Sequence, residues 1–351
     1  MALKLIEGYD HMSTIALLGA KGWTTTLGSS ANPTNSLQTG RISGNCYRWT
    51  TGSNSGNPSF FAKTLPSALA TIHCGFAFRI STQPSADRRV FELRNSTTET
   101  VQVRITSTGL IRISNSAGTT IATGTTVINT ATWYFIELKV VIAGASGTVE
   151  VKLNGAAEIA STTGNFGSSS IDNIAPTVEA YGTAGVTQEY DDIYVLDTTG
   201  SDNTTFLGDV HVETIYPATD SATNDQWTPD TGTNSAARVN EHTGTYPDGD
   251  TSYIFSSTVN QKTTFDMDTL ASLTGTVYGV QTNLYARKDD AATRQIAPVV
   301  RQGGSDFDGT NAALAITYSE YTQIYENDPS DSADWTISKV NSAEFGVKLT
   351  V

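Results

Sequence analysis

Cysteine is nearly absent: Cys46 and Cys74 are the only two thiols in 351 residues. So sparse a supply excludes a disulfide scaffold and points to synthesis in a reducing compartment. Basic residues are scarce as well, 21 Lys and Arg against 35 Asp and Glu, and a formal net charge of −14 repels phosphate backbones. Nucleic acid is therefore not an expected partner. No apolar run approaches the roughly 20 residues that a membrane-spanning helix needs, so no membrane insertion is expected and the chain reads as soluble. The opening MALKLIEGYDHM breaks any apolar stretch with Glu7 and Asp10 and does not read as a secretory signal. Convincing amphipathic helices are missing from the first half.

What is present is strand alternation. Val101, Val103 and Ile105 share one face against Gln102 and Arg104, and after a turn at Ser107 to Gly109 the pattern resumes with Ile111 and Ile113 around Arg112. Tyr134, Ile136, Leu138, Val140 and Ile142 oppose Glu137 and Lys139, while Val149, Val151 and Leu153 oppose Glu150 and Lys152. Asn154-Gly155 then supplies a tight hairpin turn. Each such strand has one apolar face to bury, and a sandwich of antiparallel sheets is the economical solution. The length exceeds the roughly 250 to 300 residues at which single cores stop growing. The stretch DTTGSDNTT, Asp197 to Thr205, has no apolar residue, and the boundary is expected there. The fold class is thus all-β, two antiparallel, jelly-roll-like β-sandwich domains over residues 1–200 and 201–351. In the second, strands are expected at GDVHVETIYP, TSYIFSS, KTTFDMD, TVYGVQTNLYARK, TRQIAPVVRQ and AITYSEYTQIYEN. The chain should close with a helical turn capped by Asp334, carrying Trp335 and Val340, and a strand from Phe345 to Val351.

Candidate chemistry is thin. QEYDDIYVLD places Glu189, Asp191 and Asp192 on one strand, the arrangement in which a retaining glycosidase holds its nucleophile and acid about 5 to 5.5 Å apart. Alternation would send Glu189, Asp191 and Ile193 one way and Tyr190, Asp192 and Tyr194 the other. Ile193 and Tyr194 then stand where a second glutamate is needed, and the carboxylates read as trim on a solvated face. SDFDGTN offers Asp306, Asp308 and Asn311, and YPDGD offers Asp248 and Asp250, but neither has the ligand spacing of a calcium loop. His11, His73, His211 and His242 are scattered without zinc spacing. No G-x-S-x-G elbow occurs. Cys74 alternates with Ile72, Phe76, Phe78 and Ile80 on an apolar face and reads as a buried, inert thiol. Trp227 in DQWTPDTG and Tyr246 in GTYPDG could form a sugar platform or seal a sandwich end, and sealing is the simpler role. No catalytic, cofactor-binding or metal residue is assigned, and no cofactor is expected.

The opening LIEGYDHM with KGWT, the pair WYFIELKVVI and GTVEVKLNG, and the closing EYDDIYVLD resemble the laminin-G/concanavalin A-like domain found in tailed-bacteriophage structural proteins. LGDVHVETIYPATD, QWTP, PDGDTSY and WTISKVNSAEFGVKL resemble the domain that follows it there. The resemblance implies a non-enzymatic virion structural protein, a capsid decoration or minor capsid-surface protein made in the bacterial host cytoplasm. Its partners would be other virion proteins of capsid or tail and copies of itself, since open sheet edges favour a homo-oligomer. The alternative is a carbohydrate-binding adhesin of the tail fibre or baseplate, whose partner is a host-surface glycan.

Overall fold

The computed structural model describes residues 2–28, 33–52, 58–179, 184–270 and 274–351. Its contacts group into two units: Met1–Asp10 with Gly22–Glu213, and His11–Lys21 with Thr214–Val351. The expected boundary at 200/201 thus lies inside a stretch, 197–213, that packs on the first unit.

The first unit is two antiparallel sheets. Its strands in chain order are β1 (Leu3–Glu7), β2 (Trp23–Thr26), β3 (Thr34–Thr39), β4 (Asn45–Thr50), β5 (Ser59–Leu69), β6 (Thr71–Ile80), β7 (Arg88–Asn95) and β8 (Thr98–Ile105). There follow β9 (Leu110–Asn115), β10 (Thr120–Val127), β11 (Tyr134–Val141), β12 (Gly147–Leu153), β13 (Ala156–Gly164), β14 (Ile171–Val178) and β15 (Thr187–Leu196). One sheet runs β13-β12-β11-β6-β15-β4-β3 with β1 added on β15, and the other runs β10-β9-β8-β7-β14-β5-β2. The alternation read from sequence is obeyed: Val101, Val103, Ile105, Ile111, Ile113, Ile136, Leu138, Val140, Val149 and Val151 are all buried. Asn154 and Gly155 have φ of 50° and 77°, and turn β12 into β13. Aromatic rings fill the interior, with Phe76 stacked on Phe91 at 4.1 Å and Tyr47 on Phe61 at 4.4 Å. Cys74 lies among them on β6, whereas Cys46 lies on the opposite face of the same sheet two strands away, so the buried thiols cannot meet.

The second unit is built from β16 (Pro217–Asp225), β17 (Thr228–Pro229), β18 (Ile254–Phe255), β19 (Lys262–Met267), β20 (Val280–Ala286), β21 (Gln295–Gln302), β22 (Ser305–Asp308), β23 (Ala312–Ala313), β24 (Ser319–Tyr325) and β25 (Glu344–Leu349). Its main antiparallel sheet is ordered β16-β19-β25-β21-β22 with β23 on β21, beside the pairs β17-β18 and β20-β24. Two departures from the sequence reading occur here. Residues 208–216 form no strand: Gly208 and Val212 donate their N–H to Glu137 and Asp192 within the first unit, and Tyr216 O accepts from Asp268 N within the second. The helix Ile337–Ser342 is capped by Thr336, whose hydroxyl accepts from Lys339 N, while Asp334 bridges to Asn327. Trp335 is buried just before that helix and donates to Tyr325 O at 3.1 Å.

Candidate functional site

Register alone builds a site on the outer face of the β13–β3 sheet. On β3, β4, β15 and β6 the residues Ser36, Arg48, Glu189 and Arg79 stand directly beside one another. Trp133, one residue before β11, continues the row, with the Arg79 guanidinium 4.7 Å from its ring centroid. The adjacent row toward the strand ends is hydroxylic: Thr34, Thr50 and Thr187 pair across β3, β4 and β15, and Ser81 accepts from Thr187 N at 2.8 Å.

Glu189 is the floor of this row. Its Oε1 accepts from Arg48 Nε at 2.8 Å and from Arg48 Nη2, and its Oε2 accepts from Arg79 Nε. The Glu189 side chain is 3% exposed against 28% and 30% for Arg48 and Arg79, so the anion lies beneath and the cations face water. The carboxylates of QEYDDIYVLD are therefore not on a solvated face. Glu189, Asp191 and Asp192 are all buried.

Nor does simple alternation hold along that strand. The pairing of β15 with β6 slips between Asp191 and Tyr194, and Asp192 takes φ 52°, a one-residue bulge that resets which side chains face outward. Asp192 and Tyr194 consequently join Glu189 and Asp191 on the outer face, contrary to the split expected from a regular strand. Tyr194 lies flat over Gly75, where an added Cβ would come within 2.2 Å of its ring. Its hydroxyl donates to Glu137 Oε1 at 2.5 Å.

The middle of the face beyond the row, on β6 and β15, is covered by the chain itself. Residues 206–213 run across the sheet as a strap. Gly208 N donates to Glu137 Oε1 at 2.8 Å and Leu207 N to Tyr194 OH at 3.3 Å. Phe206 packs edge-on against His73 at 5.3 Å and sits under Lys152 Nζ at 4.6 Å. Arg41 clamps the other end, donating to Asp192 Oδ2 at 2.8 Å, to Asp209 at 2.5 Å and to Val210 O at 2.7 Å. His211 completes the clamp, 3.0 Å from Asp192 and 2.7 Å from Glu213. Burial patterns record the cover: β6 and β15 are buried on both faces, while β12, past the strap's edge, alternates.

The electrostatics under the strap follow from that burial. Desolvation lifts Asp10 to about 8 despite the hydrogen bond from Asn45 N, and it raises Asp191, helped by the charge of Asp192. For His211, burial pulls the other way but is outweighed by its hydrogen bonds to Asp192 and Glu213, which lift it to about 10. Burial lowers His73 to about 4 and pushes Cys46 up to about 12, which keeps that thiol protonated and inert.

The other candidates fall to structural roles. Asp306 is paired with Arg301 and Lys262, and Asp308 with Lys262 and Lys348, so lysine and arginine stand where a calcium ion would be needed. Asp250 pairs with Arg287, and Asp248 accepts from Ser252. Trp227 donates to Gln261 O at 3.2 Å and packs on Ile296, Val347 and Leu349, sealing a core. Tyr246 exchanges hydrogen bonds with Ser13. His11 faces Glu320 at 3.3 Å, and His242 rests on the Tyr216 ring. Among the described residues no group of three or more His, Cys, Asp or Glu side chains is arranged to hold a metal.

No family model matches the sequence, and no curated protein does. Solved structures share its sandwich at low identity. A cellulose-induced protein, Cip1, is 17% identical over 53% of this chain and 93% of its own, with a TM-score of 0.42. Domain 4 of the extracellular arabinanase AbnA from Geobacillus stearothermophilus, solved with arabinotriose, is 14% identical over 56% and 92%, at 0.38. The carbohydrate-binding module CBM66 from Bacillus subtilis is 15% identical over 50% and 96%, at 0.34. These neighbours include carbohydrate-binding domains, and at such scores they assign no ligand to this chain.

Proposed function

We propose that the first unit is a non-catalytic carbohydrate-binding sandwich whose ligand lies across the strands on the row from Ser36 to Trp133. The observation that carries this reading is the division of one sheet face. The strap seals its middle on β6 and β15, and the row beside it keeps, among the described residues, an indole, two guanidinium groups and a bank of hydroxyls accessible, the mix of flat apolar surface and fixed donors that a sugar ring meets. The row crosses four inter-strand gaps, about 19 Å at the usual strand spacing, room for several sugar units. Hydrolysis is disfavoured by the same geometry, because Glu189 is engaged on both oxygens and Asp191 and Asp192 lie under the cover, leaving no free acid and nucleophile to flank a bond.

The phage-like motifs support placing this grip on a virion, where it would act as an adhesin rather than as an inert capsid decoration. A glycan panel offered to the pure protein should give binding without new reducing ends, and Trp133→Ala should weaken that binding about tenfold. No binding to any glycan, or binding indifferent to Trp133, overturns the carbohydrate reading. Label on intact particles tests the virion placement separately.

A further inference from the structure

The row's charge says what kind of sugar it takes. Two guanidinium groups share one carboxylate, so a single positive charge is left over, and the anion that balances the other lies at the bottom of the row. Among the described residues, Arg79 commits only Nε to Glu189, which leaves its two terminal nitrogens as donors. The ring of Trp133 at 4.7 Å holds that guanidinium in place, so little side-chain freedom remains to be lost when a ligand docks. A second guanidinium lies on the far side of Glu189, where Arg48 is fixed through Nε and Nη2 and is 28% exposed.

We propose, resting on the carbohydrate reading above, that the row is specific for an acidic glycan, whose carboxylate or sulfate groups are received by the free edges of Arg79 and Arg48. A planar guanidinium offers two parallel donors to a carboxylate or sulfate oxygen pair, a match that a neutral hydroxyl cannot return. Ser36, at the end of the row, and Thr50 and Thr187 in the adjacent row supply donors and acceptors for the sugar hydroxyls.

The test is calorimetric titration of the full chain with four oligosaccharides of matched length: a galacturonan, a sulfated galactan, a neutral galactan and a cello-oligosaccharide. At least one acidic probe should bind about tenfold or more tightly than the neutral ones, with a margin that shrinks as salt is raised. Binding of the galacturonan alone identifies carboxylate as the recognised group, binding of the sulfated galactan alone identifies sulfate, and either upholds the proposal. Arg79→Gln should erase the margin, and Arg79→Lys should restore part of it. Arg48→Gln provides the same reading should Arg79→Gln fail to fold. Neutral probes binding as tightly as acidic ones, or a margin that survives both glutamine variants, overturns acidic specificity but leaves the carbohydrate reading standing. Failure of all four probes to bind sinks both.

Discussion

The two units treat most of their shifted carboxylates differently, with Glu241 of the second, raised to about 7 by burial, and the lowered Asp197 and Glu213 of the first as exceptions. In the first, Asp10, Asp191 and Glu92 are buried and their carboxyls are raised by desolvation. In the second, Asp230, Asp306, Asp308 and Asp331 are held down by adjoining Arg or Lys side chains near the surface. The packing differs in parallel. The first unit has long strands buried on both faces under its strap, whereas the second gathers smaller clusters, one around Trp335 and Phe345 and one around Ile296 and Val347. A buried carboxylate costs stability unless it holds something in place, and here Asp191, Asp192 and Asp10 hold the loop and strap that cover the middle of a sheet face. A paired surface carboxylate contributes little and specifies little.

This contrast predicts separate thermal transitions with separate sensitivities. The largest effect is expected from Phe76→Ala, which removes a ring stacked on Phe91 in the first unit and should cost about 3 to 5 kcal/mol. Calorimetry should show one transition falling and the other unmoved, and a joint fall would mean that the units unfold together. A smaller effect is expected from Asp192→Asn, which keeps the left-handed backbone an asparagine tolerates but removes the charge facing Arg41 and His211. The cost should be about 2 kcal/mol, amide exchange at Val212, whose N–H donates to Asp192 Oδ1 at 2.8 Å, should quicken, and the His211 titration should move down. Unchanged exchange at Val212 would mean that the strap does not depend on this clamp.

The pH dependence is the subtlest separation. Asp10 and His211 have folded values above their unfolded ones, so their contribution is complete at low pH and is lost as pH rises, through about 8 and about 10 respectively. Asp191 and Glu92 act in the same direction, and the lowered Glu213 and Asp197 oppose it at acid pH. The first unit should therefore weaken as pH rises from about 4, through Asp10 and Asp191 up to about 8 and through His211 up to about 10. The lowered aspartates of the second unit give stability that is present above about 4 and lost as pH falls below it. Alkaline scans that lower the second transition first, or acid scans that spare it, would erase the distinction.

The strand pattern was legible in the sequence because alternation is local: Val101, Ile136 and Val149 declare their faces within five residues. The turn at Asn154-Gly155 was legible for the same reason. The site was not. A bulge at Asp192 looks like any other position in EYDDIY, yet it moves Asp192 and Tyr194 to the outer face. The strap reads as a strand in GDVHVETIYP because its apolar residues alternate, and only the distant Asp192, Glu137 and Arg41 turn its polar groups toward the sheet. The row from Ser36 to Trp133 joins five segments spread over about 150 residues, and register, which no short motif carries, brings them together. Trp227 stands out through its loop-like neighbours, whereas Trp133 only heads the apolar run WYFIELKVVI.

The most direct test of the account is a crystal structure of the protein soaked with the tightest-binding oligosaccharide of the panel. The account predicts sugar density laid across the strands on Ser36, Arg48, Arg79 and Trp133, with an acidic group against a guanidinium and the strap in place. Density centred on Trp227, on Tyr246 or on the far sheet, with the row empty, would contradict it.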